Sequence, residues 1–174
     1  FSNPSFIGIF INPFYFIKKG LYDSIKKNSN FIKGDILDIG CGSKPYEKIF
    51  KKKEKYIGID IKDSSHNHKN SKVDIYYDGR NIPFEDNSFE SVVCFEVLEH
   101  IKNPEFTLTE INRVLKGNGN LLLTMPFAWF EHELPNDYQR YTENGLKNLI
   151  LKNGFTINNI QKSNSAIEAI MQII

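Results

Sequence analysis

The chain has 174 residues, of which 40% are hydrophobic, 13% aromatic and 25% charged, the composition of a soluble globular protein of one domain's length. Lys and Arg number 22 against 21 Asp and Glu, a net charge of +1, which excludes a broad basic face tuned to duplex nucleic acid. Cys41 and Cys94, both inside apolar stretches, do not make a disulfide scaffold and point to a reducing, cytoplasmic compartment.

The most apolar run, Phe6 to Ile17, is interrupted by Asn12-Pro13 and is shorter than the roughly 20 residues a bilayer span needs. Lys18 and Lys19 follow it, the reverse of a secretory signal. The run reads as core or as a lid over a ligand. A second reading makes it an interfacial surface for a lipid-linked acceptor, a peripheral membrane contact with the two lysines near anionic headgroups. With a helix expected around Leu21 to Lys27, it forms an N-terminal helical or lid segment, residues 1–34, ahead of a main domain over residues 35–174. The opening Phe1 and the closing Met171-Gln172-Ile173-Ile174, cut in mid-pattern, are the expectation for a fragment.

Ile36 to Ile39 is a short apolar strand ended by Gly40-Cys41-Gly42. Lys44 to Lys53, with Tyr46, Ile49 and Phe50 at helical spacing and Pro45 in the first turn, predicts a helix. Strands follow at Tyr56–Asp60, Val73–Tyr77 and Phe89–Phe95, with a polar loop from Lys62 to Lys72 between the first two. Phe106, Leu108, Ile111, Val114 and Leu115 predict a helix from Pro104 to Leu115, stopped by Gly117. A fifth strand spans Asn120–Met125, Thr142 caps a helix running to Leu151 and closed by Gly154, and Phe155–Ile160 reads as a sixth strand. Apolar strands alternating with helices predict an α/β, Rossmann-like, doubly wound and mostly parallel sheet, with its ligand at the carboxyl ends of the strands.

Gly40 and Gly42 sit where a strand hands over, and Asp60 ends the next strand 20 residues after Gly40 (60 − 40). A carboxylate at that spacing accepts the hydroxyls of an adenosine ribose. The dinucleotide fingerprint asks for a third glycine, where this chain has Pro45. Asp38, an acid inside the apolar strand, repels a pyrophosphate and attracts an ammonium or a sulfonium. The ligand expected at this turn is therefore S-adenosylmethionine.

Leu37-Asp38-Ile39-Gly40-Cys41-Gly42 resembles motif I of the class I S-adenosylmethionine-dependent methyltransferases. Asp78-Gly79, Ile82-Pro83-Phe84, Asp86-Asn87-Ser88-Phe89, Phe95 to Ile101 and Glu110 to Lys116 are similar to the later signatures of the type 11 subgroup, over about Asp35 to Ile160. The resemblance implies that Asp38 and the Gly40-Cys41-Gly42 backbone hold the methionine moiety and Asp60, with Ile61 beside it, the ribose. Asp78-Gly79 would meet the adenine amino edge, and Phe95 and Glu96 would line the floor. Two departures stand out. Lys44-Pro45-Tyr46 occupies the place of a glycine-bearing loop, and the final antiparallel strand of the fold is missing.

A hydroxyl acceptor must lose a proton, so a base is sought. His132, with Asp137 to orient it and Arg140 to pair with an acid, lies in an aromatic loop after the fifth strand, and its spacing resembles a block in type 11 enzymes of surface-glycan biosynthesis. The bland reading of Asp137 and Arg140 is a salt bridge that fixes the loop. Trp129, Phe127 and Phe130 are either an acceptor wall or core. Glu96, Glu99 and His100 share a helix face if that turn is helical. With His132 they resemble the divalent-metal set of some RNA 2′-O-methyltransferases. The same Glu-His pair recurs in type 11 enzymes without metal, so a packing or orienting role and no metal is expected for Glu99 and His100. His66 and His68 read as surface residues.

These observations lead to methyl transfer to an oxygen of a small-molecule, glycan or lipid-linked sugar acceptor, with no nucleic-acid partner. A nicotinamide-dependent (NAD) oxidoreductase and a non-catalytic cofactor-binding module of a glycan-assembly complex are the alternatives.

Overall fold

The computed structural model describes residues 15–62 and 70–163, apart from the side chain of Phe16. Residues 6–14 of the apolar run, and His66 and His68, lie outside them. Eight elements follow in chain order: α1 (Tyr15–Asn28), β1 (Gly34–Ile39), β2 (Lys53–Ile61), β3 (Ile75–Tyr77), β4 (Phe89–Phe95), α2 (Pro104–Val114), β5 (Leu115–Thr124) and α3 (Glu143–Lys152). The five strands form one sheet in the order β3-β2-β1-β4-β5, and every neighbouring pair is parallel. The chain builds outward from β1 to β3 and then returns to β4, so the order reverses between β1 and β4. In sheets of this kind that reversal opens a crevice at the carboxyl ends of the strands.

Strand periodicity divides the core into two layers. Leu37, Ile39, Ile59, Val92 and Cys94 face α2 and α3, whose Leu108, Ile111, Val114, Leu149 and Ile150 bury against them. Ile36, Val93 and Phe95 face the other way and pack with Ile25 of α1 and with Ile49 and Phe50. Each such side chain contributes on the order of 1.5–3 kcal/mol on leaving water. Asn103 caps α2 by accepting from Phe106 N at 3.2 Å, and Thr142 caps α3 by accepting from Gly145 N at 3.1 Å.

Four expectations are corrected. No α-helix forms over residues 44–53; only a single 3-10 turn, Glu47–Ile49, stands there. The reason is backbone conformation: Lys44 lies in the left-handed region (φ +54°) and Phe50 is extended, so helical backbone is confined to the turn between them. No strand forms at 155–160. Phe155 N donates back to Ile150 O, while Asn159 and Gln161 donate to Asn28 and Ser24 of α1, which draws the segment off the line of β5. Gly117 does not stop α2; Leu115 passes straight into β5 because it pairs with Phe89. Glu96, Glu99 and His100 do not share a helix face. Glu96 lies at φ +53°, and only Leu98–His100 makes a 3-10 turn.

Candidate active site

The turn after β1 is shaped by two left-handed glycines. Gly40 (φ +67°) donates to Ile59 O at 2.9 Å, and a Cβ there would meet Val97 at 2.3 Å. Gly42 (φ +48°) faces open space, with nothing within 4 Å of a built Cβ, so a ligand can come up to its backbone. Asp60, at the tip of β2, accepts from Gly42 N at 3.1 Å through Oδ2 and from Ile61 N at 2.8 Å through Oδ1. The predicted acid and the predicted glycine turn thus meet directly. Cys41 contributes backbone only, since its thiol is buried against Gly58 and burial pushes it up to about 12.

Asp38 is 4% exposed and shares the sheet face of Ile36 and Phe95. Burial raises its carboxyl to about 7, although the Tyr56 hydroxyl, donating to Oδ2 at 2.7 Å, and the nearby Lys44 both favour the ionised form. Lys44 (φ +54°) turns its chain inward, where its ammonium pairs with Asp74 and lies 5.7 Å from the centre of the Tyr56 ring. The missing side chain of Gly58 makes the space for it, because a Cβ there would come within 2.5 Å of Lys44 Cε.

Beyond Asp60, a cavity of about 360 Å³ opens at the carboxyl ends of β2 and β3, lined by Ile61, Lys62, Tyr76, Tyr77, Asp78 and Gly79. Asp78 accepts from the backbone of Arg80 and Asn81, at 2.7 and 2.8 Å, and these bonds hold its carboxyl below the usual range. On the other side of the turn, Phe95 packs edge-on to Tyr46 at 5.2 Å and parallel to Phe50 at 6.3 Å. Glu96 N donates to Thr124 O at 3.1 Å, and burial raises the Glu96 carboxyl.

The loop after β5 folds back on the 98–101 turn. Tyr138 N donates to Glu99 O at 2.9 Å, and Gln139 Nε2 donates to Leu98 O and Ile101 O at 3.1 and 2.6 Å. This brings the His132 ring edge-on to His100, centroids 4.7 Å apart. Arg140 grips Asp137 bidentately at 2.6 and 2.9 Å, holding that carboxyl well below the usual range, and Asp137 Oδ2 accepts from His132 N at 3.0 Å. Phe127 and Phe130 are 72% and 52% exposed, which removes the core reading for both.

Sequence reasoning missed Tyr56, Lys44 and Gln139. Tyr56 had a signal, since it stands two residues before Gly58 and four before Asp60 on one strand and so shares their face. Lys44 and Gln139 had none, because their partners lie 30 and about 40 residues away.

The residues present fit S-adenosylmethionine: a buried acid for an ammonium, an open glycine turn, an acid at the strand tip and a cavity beside it. The type 11 family described as Methyltransferase domain matches residues 37–123, half of the chain. Two uncharacterized proteins of Methanocaldococcus jannaschii are similar. One is 38% identical over 60 residues, 33% of this chain and 26% of that protein. The other is 33% identical over 93 residues, 52% of this chain and 44% of that protein. The chain thus spans less than half the length of these curated relatives. A solved S-adenosylmethionine-dependent methyltransferase from Thermotoga maritima has a TM-score of 0.65 at 18% identity, covering 87% of this chain and 79% of its own, a likeness of fold. The sheet order, the glycine turn with its two acids and the family match agree: the chain belongs to the type 11 family of class I S-adenosylmethionine-dependent methyltransferases.

Proposed function

We propose that the chain transfers a methyl group from S-adenosylmethionine to an oxygen of a small-molecule, glycan or lipid-linked sugar acceptor. The observation that carries the cofactor half is Asp38, a buried carboxylate beside the glycine turn, with no α-helix following that turn. A dinucleotide needs the helix N-terminus for its pyrophosphate, so this arrangement speaks against an NAD-dependent oxidoreductase.

When bound, S-adenosylmethionine supplies a methyl carbon on a positively charged sulfur. Asp38 would accept from the α-ammonium; Tyr56 and Lys44 favour its ionised form against the burial that raises it to about 7. Gly40, Cys41 and Gly42 offer backbone. Asp60 uses the lone pairs left on its two oxygens for the ribose hydroxyls. Ile61, Asp78 and Gly79 line the adenine side, and Phe95 and Glu96 the floor.

His132 takes the proton of the acceptor hydroxyl, with His100, edge-on to it, orienting the pair. Asp137, locked by Arg140, fixes the backbone at His132. Phe127, Phe130, Leu134 and Tyr138 are exposed on the same loop, an apolar patch suited to the face of an organic acceptor.

Calorimetry with S-adenosylmethionine and with NAD is the test. Binding of the first alone supports the reading, and binding of NAD alone overturns it. Incubation with a sugar library and mass detection of a 14 Da gain then reads the acceptor. Cofactor binding with no methylated product across hydroxyl acceptors sinks the oxygen assignment.

A further inference from the structure

Glu99 is 1% exposed, and neither of its carboxylate oxygens has a hydrogen-bond partner. A buried polar side chain left in that state is costly and calls for an explanation. Its Oε1 lies 3.8 Å from His100 Nε2, and Glu133 Oε2 lies 3.8 Å from the same nitrogen. His100 Nδ1 stands 2.6 Å from Asn136 O. A carbonyl only accepts, so Nδ1 carries a proton, and Nε2 is the ring nitrogen turned toward the two carboxylates. That arrangement calls for positive charge between the groups, supplied by a proton or by a metal ion.

His132 completes the cluster. Its Nδ1 is 3.0 Å from Phe130 O and 3.4 Å from Asp137 Oδ2, two acceptors set against the one donor, Arg140 Nη2 at 3.4 Å, so the proton falls to Nδ1 and Nε2 is left to bind. One ligand atom from each of Glu99, His100 and His132 lies within 4.8 Å of the others. Carbonyls that fix the tautomers of two histidines are the outer support of histidine metal sites. The Arg140 guanidinium bonds Asp137 and leaves Glu99 without a hydrogen bond.

We propose that Glu99, His100 and His132 form a binding site for one divalent transition-metal ion of the zinc type, with Glu133 beside it. Two imidazoles and one carboxylate are a zinc-type donor set, which leaves a fourth position for a water or an acceptor atom. Bonds of about 2.0–2.2 Å ask the three side chains to draw together by roughly 1 Å. Glu96 is outside the set, because its backbone follows β5 and not the 98–100 turn. With an ion bound, His100 and His132 act on an acceptor through it, and the cofactor half of the reading is untouched. Metal binding is read without turnover, so the failure of either idea is separable from the other.

The test uses the full, untagged chain stripped with a chelator and titrated with Co²⁺ by visible absorption, then with Zn²⁺ in competition. The expected result is one saturable site without a thiolate charge-transfer band, together with a rise in melting temperature on loading. Glu99→Gln and His132→Ala should each weaken Co²⁺ binding more than about tenfold. Circular dichroism checks that each variant folds, and His132→Ala, on the loop, carries the comparison if Glu99→Gln does not. No saturable binding by the unmodified chain, a thiolate band, or equal affinity in a folded variant would overturn the site. Glu99 would then be a carboxyl kept neutral by its surroundings.

Discussion

The Tyr56 hydroxyl donates to Asp38 across the boundary between β2 and β1, at 2.7 Å, beneath the glycine turn. Burial holds the Asp38 carboxyl at about 7, so it is largely protonated below that pH and ionised above it. An ammonium prefers the ionised form. The affinity for S-adenosylmethionine should therefore fall about tenfold per unit as pH drops below 7 and level off above it. Tyr56→Phe removes a bond that favours ionisation, so the break should move to higher pH, while Asp38→Asn should flatten the profile at weak affinity. Calorimetry between pH 5.5 and 7.5 measures this; a flat profile for the unmodified chain would take Asp38 out of the site.

Asp60 holds the glycine turn to the strand tip, next to Ile61 of the cavity lining. Asp60→Ala should weaken cofactor binding by about 1.5–3 kcal/mol, or about 10- to 150-fold in Kd, the worth of hydrogen bonds to a charged group. An unchanged Kd in a folded variant refutes the ribose role.

Gly40→Ala combines a left-handed backbone with a Cβ 2.3 Å from Val97. The strain alone is roughly 1–2 kcal/mol, and with the clash a loss of about 2–3 kcal/mol is expected. That is a fall of roughly 5–10 °C in Tm for a chain of this size. Gly117→Ala, where a Cβ meets nothing within 4 Å, should change stability by less than about 0.5 kcal/mol. Thermal melting of both variants decides, and equal shifts would contradict the geometry.

Arg113 ties α2 to the loop between β3 and β4. It donates to Ile82 O, Phe84 O, Asp86 and both oxygens of Glu110, and Glu110 in turn accepts from Ile82 N at 2.9 Å. Arg113→Met should cost about 2–3 kcal/mol, because carbonyls and a carboxylate lose partners together. Chemical denaturation reads the loss, and wild-type stability would mean that water replaces the guanidinium.

The elements that local pattern can carry were legible. Ile36 to Ile39 and Phe89 to Phe95 are apolar runs that only a two-faced sheet can bury, and Thr142 marks a helix start through a bond three residues away. The segments that failed did so for reasons of distance. Tyr46, Ile49 and Phe50 have helical spacing, yet Lys44 turns left-handed toward its distant partner Asp74 and Phe50 is extended, which leaves a single turn between them. Phe155 to Ile160 has the composition of a strand, but side-chain bonds to α1, more than 130 residues away, draw it elsewhere.

The site divides along the same line. The order of residues is enough to put Asp38, Gly40, Gly42 and Asp60 at one turn, since two adjacent parallel strands leave them no other meeting place. Only the folded chain brings Tyr56 under Asp38, turns Lys44 inward against Asp74, and sets His132 against His100 with Glu99 buried between charges. Those contacts join residues 18 to 33 positions apart (132 − 99 = 33 for the widest). Loop closure over such spans is set by which surfaces pack, and no run of neighbouring residues carries that information.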